Sequence, residues 1–192
     1  VTTVAYRDGV LATDSRGVSG DIIADNHCQK LFVMQDGSLV AAAGNYSLIW
    51  AFVNWMYEGD EKVDRPEVRE RDTAVIIHLD AAGRLWEFEG HDWAPCVAPF
   101  YAWGSGAMAA LAAMHLGATA EEAVLTAIQV DPNSGGAVQA KRLVDSVATV
   151  AENERAESRV KGGKPRKLGP RPQRRKPTNA AREANSLIIE ND

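Results

Sequence analysis

The stretch VTTVAYRDGVLATDSR, residues 1–16, decides how the rest of the chain is read. Residues 2–6 and 10–15 are rich in β-branched and apolar side chains, and Arg7-Asp8-Gly9 divides them. Asp-Gly readily supplies the positive φ angles of a two-residue hairpin turn, so the two runs are expected to pair as antiparallel strands. With Asp8-Gly9 as the turn, opposed residue numbers sum to 17, and Thr3 faces Asp14 while Thr2 faces Ser15. Moving the pairing by one position would put every side chain on the opposite face of the sheet.

The adjacent threonines also raise a question of chemistry. A threonine hydroxyl is a weak nucleophile unless the residue is N-terminal, where its own α-amine, with a pKa of about 7.7–8.0, accepts the proton. A Val1 decoded as methionine from an alternative start codon, then removed, would leave Thr2 in that position. Read alone, both threonines serve equally well as β-branched strand formers.

Composition fits one globular domain with an appended tail: 192 residues, 45% hydrophobic and 24% charged. Cys28 and Cys96 are too few for a disulfide framework and belong to no CxxC or Cys/His set, so a reducing compartment and no metal are expected. His27, His78, His91 and His115 are scattered. No basic segment followed by an apolar one opens the sequence, and the expected location is the cytoplasm. Glycines, Ser105 and His115 interrupt YAWGSGAMAALAAMHLGA, residues 101–118, which reads as a buried helix and not as a membrane span.

Charge is uneven along the chain. Residues 152–192 carry 11 Lys and Arg against 6 acids, a net of 11 − 6 = +5, which leaves −10 on residues 1–151. The acidic body argues against nucleic-acid binding except through the tail. Within it, residues 161–182 have nine bases, four prolines and no acid. The expected organisation is a folded domain over 1–150 and a disordered basic tail over 151–192.

Beyond the first hairpin, KLFVM (30–34) and SLVAAAG (38–44) flank Asp36-Gly37 as a second hairpin with the same turn chemistry. NYSLIWAFVNWMY (45–57) has Leu48, Ile49, Phe52, Val53 and Met56 at helical spacing. Its Trp50, Trp55 and Tyr57 suit packing or a subunit interface. TAVIIHLD (73–80), GRLWEFE (83–89) and APFYAW (98–103) read as strands. Two helices follow, the alanine-rich 107–117 and 120–130, the second opened by a Thr119/Glu122 capping box. AVQAKRLV (137–144) is expected to return as a strand. Four strands, a helix, more strands and two helices indicate an α+β fold with stacked sheets carrying helices outside.

Several short segments, in order, carry a likeness: Thr2-Thr3, ATDSR with Asp14, Lys30-Leu31-Phe32, Ala43-Gly44 fourteen residues after the lysine, Gly104-Ser105-Gly106, and Asp131-Pro132-Asn133-Ser134-Gly135-Gly136. Over residues 2–144 the chain resembles the threonine peptidases of the proteasome β-subunit and HslV family. The first hairpin is shorter than in that family, equally on both strands, so the facing relation survives with Thr2 as the first residue.

The resemblance implies a four-layer αββα sandwich of the N-terminal nucleophile hydrolase type. It implies Thr2 as nucleophile with its α-amine as general base, Lys30 as the nearby positive charge, Asp14 holding that lysine, and the Gly44 N–H as oxyanion donor. Ser105, Asp131 and Ser134 would orient the amine, and Ala42 would line a roomy specificity pocket. It also implies no cofactor, polypeptide substrates, a homo-oligomeric ring, single or double, and an ATP-dependent unfoldase as partner. Two other readings keep the fold: an amidohydrolase acting on a small amide, and a silent ring subunit in which Thr2 stays blocked.

Overall fold

The computed structural model describes residues 2–59, 64–67, 74–89, 92–144 and 150–152. Val1 and all but the first two residues of the expected tail lie outside the described residues.

The Asp-Gly turn at residues 8 and 9 forms as the sequence predicts. Asp8 and Gly9 both have positive φ, 51° and 76°, and they join β1 (Thr3–Arg7) to β2 (Val10–Thr13). Val4 opposes Thr13 and Arg7 opposes Val10, which is the predicted register. Beside this hairpin, β10 (Phe100–Gly104) pairs with β1, and β11 (Gln139–Arg142) pairs with β2, giving a four-stranded antiparallel sheet in the order β10-β1-β2-β11.

A second antiparallel sheet has the order β5-β6-β7-β8-β9, built from Leu31–Val33, Leu39–Gly44, Ala74–Leu79, Leu85–Glu89 and Trp93–Cys96. Helix α1 (Tyr46–Glu58) follows β6 directly, with the Asn45 side chain accepting from the Ser47 and Leu48 amides as its N-cap. Helices α2 (Ala107–His115) and α3 (Ala120–Val130) follow β10, and the Thr119/Glu122 capping box is present in full.

Side-chain alternation sorts the apolar residues into three layers of contact. Ala5, Val10 and Ala12 pack against Ala110, Met114, Ala123, Val124 and Ala127 of α2 and α3. Val4 and Leu11, on the opposite face of the first sheet, pack against Leu31, Leu39, Ala41, Ala43 and Ile77 of the second. Phe32, Val40, Ala42, Ile76 and Phe88 turn outward against Ile49, Phe52 and Val53 of α1. The order is helices, sheet, sheet, helix: the predicted αββα sandwich. Small alanines on both sides of the first interface let α2 and α3 lie close to the sheet.

Three elements depart from expectation. Six strands, not four, precede α1, because β3 (Gly17–Ser19) and β4 (Ile22–Asp25) form a separate two-stranded ribbon whose second strand is exposed throughout. Such short, exposed strands bury no face and carry no alternation to read. The outer strand β9 contains Pro95, a residue that fits only an edge position. The final expected strand is confined to Gln139–Arg142, and residues 143 and 144 are already helical. Among the described residues no helix is long and apolar enough to cross a membrane.

Candidate active site

The two stacked hairpins bring their open ends together. The end of the first carries Thr2, Thr3 and Asp14, and that of the second carries Lys30 and Gly44. Thr2, Thr3, Asp14 and Lys30 are at most 4% exposed.

Asp14 is the hub. One carboxylate oxygen accepts the Thr3 amide at 3.0 Å and the Lys30 ammonium at 2.9 Å. The other accepts the Arg16 amide at 3.1 Å and the Gly135 amide at 3.0 Å. Four donors offset the cost of burying the carboxylate.

The Lys30 ammonium also donates to the Arg16 carbonyl at 2.6 Å. Burial pushes its pKa below the ordinary lysine value, and the attraction of Asp14 only partly opposes this. A lowered lysine binds fewer protons than the unfolded chain in the window just below 10.5, so its contribution to stability rises with pH there.

Alternation along β1 separates the two threonines. Thr3 falls on the helix side with Ala5, where its hydroxyl lies 2.6 Å from the Ser134 hydroxyl. By the same alternation Thr2 falls on the inter-sheet side with Val4, toward the hairpin that carries Lys30. Its backbone carbonyl accepts the Ser105 amide at 3.0 Å.

Ser105, Asp131 and Ser134 come together as the motifs suggested. Both hydroxyls donate to the same Asp131 oxygen, Ser105 at 2.5 Å and Ser134 at 2.6 Å. Since the single Ser134 proton goes to Asp131, the Thr3 hydroxyl is the donor in its own bond to Ser134. Burial works to raise the Asp131 pKa, but the two serine hydroxyls and the Asn133 amide together hold it below the ordinary carboxylate value.

The motif glycines have a steric reason. A Cβ on Gly104 would overlap the Thr2 carbonyl, and one on Gly106 would overlap the Thr3 hydroxyl. Gly135 lies under the Arg16 guanidinium, which reaches across to the Pro132 carbonyl at 2.9 Å and to Asn26 at 3.2 Å. Arg16 thus straps the 131–136 loop to the first hairpin. The sequence had shown it only as the last letter of ATDSR.

Gly44 ends β6 with a φ of 118°, opposite Ala74. Ala42 is fully buried in the cluster beneath α1 and presents no surface. The cavity beside that cluster, about 280 Å³, is lined by Phe32, Val33, Met34, Trp50, Val53 and Tyr57 among others, with the Phe32 and Trp50 rings 5.2 Å apart, edge to face. The small Ala42 side chain shares one buried cluster with Phe32, Ile49, Phe52 and Val53. Among the described residues no group of three or more His, Cys, Asp or Glu side chains is placed to hold a metal ion.

The αββα sandwich, with Thr2 on the inter-sheet side and Thr3 on the helix side of the first hairpin's open end, is a fold that other chains share. No protein-family model matches the chain, and no curated protein matches it by sequence. Solved structures do. The chain is similar to the Thiobacillus denitrificans protein BPH, with a TM-score of 0.53 at 20% identity over 74% of this chain and 97% of that one. It is also similar to HslV from Trypanosoma brucei, with a TM-score of 0.54 at 20% identity over 73% and 97%. A structure of the Thiobacillus protein in complex with epoxomicin matches with a TM-score of 0.52 at 19% identity over 74% and 98%. These neighbours are spanned almost entirely, and about a quarter of this chain lies outside each match.

Proposed function

We propose that this chain is a threonine-type endopeptidase in which Thr2, freed as the first residue, attacks peptide carbonyls. The observation that carries the reading is the buried Lys30–Asp14 pair at 2.9 Å, set between the open ends of the two hairpins beside the threonines. A buried ion pair is a poor way to gain stability, and replacement by apolar side chains is often neutral or favourable. A cation next to a hydroxyl and an amine has chemical use. It lowers the hydroxyl pKa and disfavours protonation of the amine.

Catalysis then runs as follows. The Thr2 α-amine takes the Oγ proton, directly or through a water, while Oγ attacks the carbonyl carbon. The oxyanion is met by the Gly44 N–H. The amine returns the proton to the leaving nitrogen, and a water releases the acyl group by the same route. Ser105, Asp131 and Ser134 hold the Thr2 carbonyl and the Thr3 hydroxyl, so the start of the chain is fixed before substrate arrives. We assign the enzyme to the cytoplasm as a homo-oligomeric ring, fed by an unfoldase, with unfolded polypeptides as substrates. Exposed apolar side chains on the outer helices, Met108 on α2 and Tyr46, Trp50 and Tyr57 on α1, support such contacts between copies.

N-terminal sequencing of the purified protein is expected to give Thr2 first. That material should hydrolyse fluorogenic peptides and lose the activity on treatment with a peptide epoxyketone, which requires both a free amine and a hydroxyl. Thr2→Ala should be inactive with an unchanged oligomeric state. A mature chain that retains residue 1, or an active Thr2→Ala, would overturn the mechanism.

A further inference from the structure

Lys30 is held at its ammonium by Asp14 and the Arg16 carbonyl, but its backbone lies just outside the second sheet, one residue before β5 begins. On one side its carbonyl accepts the Ala42 amide at 3.2 Å. On the other side no strand among the described residues pairs with it, and a side chain takes the place of one. The Gln139 carboxamide accepts the Lys30 amide at 3.1 Å and donates to the Cys28 carbonyl at 2.7 Å. One planar group thus supplies the acceptor and donor that a neighbouring strand would present.

We infer that Gln139 is a positioning residue for Lys30: its carboxamide clasps the 28–30 backbone to the first sheet and sets where the ammonium stands relative to Thr2. Gln139 is on β11, opposite Thr13 of β2, and Thr13 precedes Asp14. The constraints therefore close a ring: Asp14 to the Lys30 ammonium, the Lys30 backbone to Gln139, Gln139 across the ladder to Thr13, and so back to Asp14. A lysine stem has several rotatable bonds, and a charge on such a stem is precise only when both its ends are fixed. Asp14 fixes the ammonium end and Gln139 the backbone end. The clasp joins the first sheet to the lead-in to the second beside a backbone bond from the Cys28 amide to the Ser15 carbonyl at 2.9 Å, so sliding of the sheets is felt at Lys30.

The inference rests on the proposed function for its effect on rate, and on the hydrogen bonds alone for its effect on Lys30. The test uses full-length Gln139→Met, close in size and unable to make either bond. Exchange of the Lys30 amide hydrogen, the Lys30 Nζ titration by NMR, and kcat, KM and the pH profile on a fluorogenic peptide are compared with wild type. Expected are Lys30 amide exchange faster by about tenfold or more, kcat lower by about 10- to 100-fold, an unchanged KM, and a shifted acid limb of the kcat profile. Unchanged Lys30 exchange overturns the clasp whatever the activity. Faster exchange with wild-type kcat and pH profile reduces Gln139 to a structural role and overturns the inference too. If wild type with a free Thr2 proves inactive, the proposed function falls. The Nζ titration then decides, a shifted midpoint in Gln139→Met supporting the positioning role and an unmoved one overturning it. Should that variant not fold, Gln139→Glu, which keeps an acceptor for the Lys30 amide but sets an oxygen against the Cys28 carbonyl, carries the same readouts.

Discussion

The two hairpins that frame the site share a dipeptide but turn differently. At residues 8 and 9 both members of Asp-Gly have positive φ, and the loop has two residues. At residues 36 and 37 only the glycine does; the Met34 amide donates to the Ser38 carbonyl and the Gly37 amide to that of Met34, which makes a loop of three residues. In the first hairpin opposed numbers sum to 17, in the second to 72, as in Leu31 against Ala41. An odd sum pairs odd with even positions, and an even sum pairs like with like. Each turn thus decides which residues of its two strands share a face at the open end. The same two letters support either outcome because Asp tolerates both backbone regions.

Breaking the charge that joins the hairpins has the largest expected effect. Asp14→Asn removes the carboxylate from four donors and leaves Lys30 buried without its counterion; urea denaturation should show a loss of about 3–5 kcal/mol. The turns come next. Asp8→Pro demands a negative φ where the chain has 51°, and should cost more than about 2 kcal/mol. Gln35→Pro, at the first position of the longer loop, should stay within about 1 kcal/mol of wild type, and an equal loss at both would refute the difference between the turns. Gly9→Ala has open space for its methyl group, so its cost is the left-handed backbone alone, about 1–2 kcal/mol by thermal unfolding.

The smallest effect is one of titration. Asp131 is held below 3.8, so the stability it supplies is complete above that value and is lost as pH falls through its folded pKa. Ser105→Ala removes one of the hydroxyls responsible. The Asp131 carboxyl should move back toward 3.8 in a ¹³C NMR titration, and acid unfolding should begin at a higher pH.

Much of this arrangement was legible in the sequence, for identifiable reasons. The first hairpin was readable to the residue because its turn type and its alternation agree. The Thr119/Glu122 pair marks a helix start through bonds only three residues long, whereas the Asn45 cap of α1 was not read. The three-residue second loop was not readable, since Asp36-Gly37 does not state how many neighbours join it. Pro95 hid an edge strand, and the ribbon at 17–25 buries nothing that a pattern would record. The motifs brought Asp14, Lys30, Ser105, Asp131 and Ser134 to one place. They gave no sign that Ser134 bonds the Thr3 hydroxyl, that Arg16 lies over Gly135, or that Ala42 shares one buried cluster with Phe32 and Phe52. Each of those contacts is set by how two sheets and a distant loop meet, and no local period encodes it.

The bond between Thr3 and Ser134 spans 131 residues of chain. The Thr2 carbonyl likewise waits for Ser105, and the Asp14 carboxylate for Gly135. During synthesis the first hairpin emerges long before any of these partners exists, and closing such long loops comes late in folding. The start of the chain is therefore made first and set last. A nascent or truncated polypeptide that ends before Ser134 contains the threonines, the aspartate and the lysine, yet lacks two of the three partners, Ser134 and Gly135, that fix the first hairpin's open end from the far part of the chain.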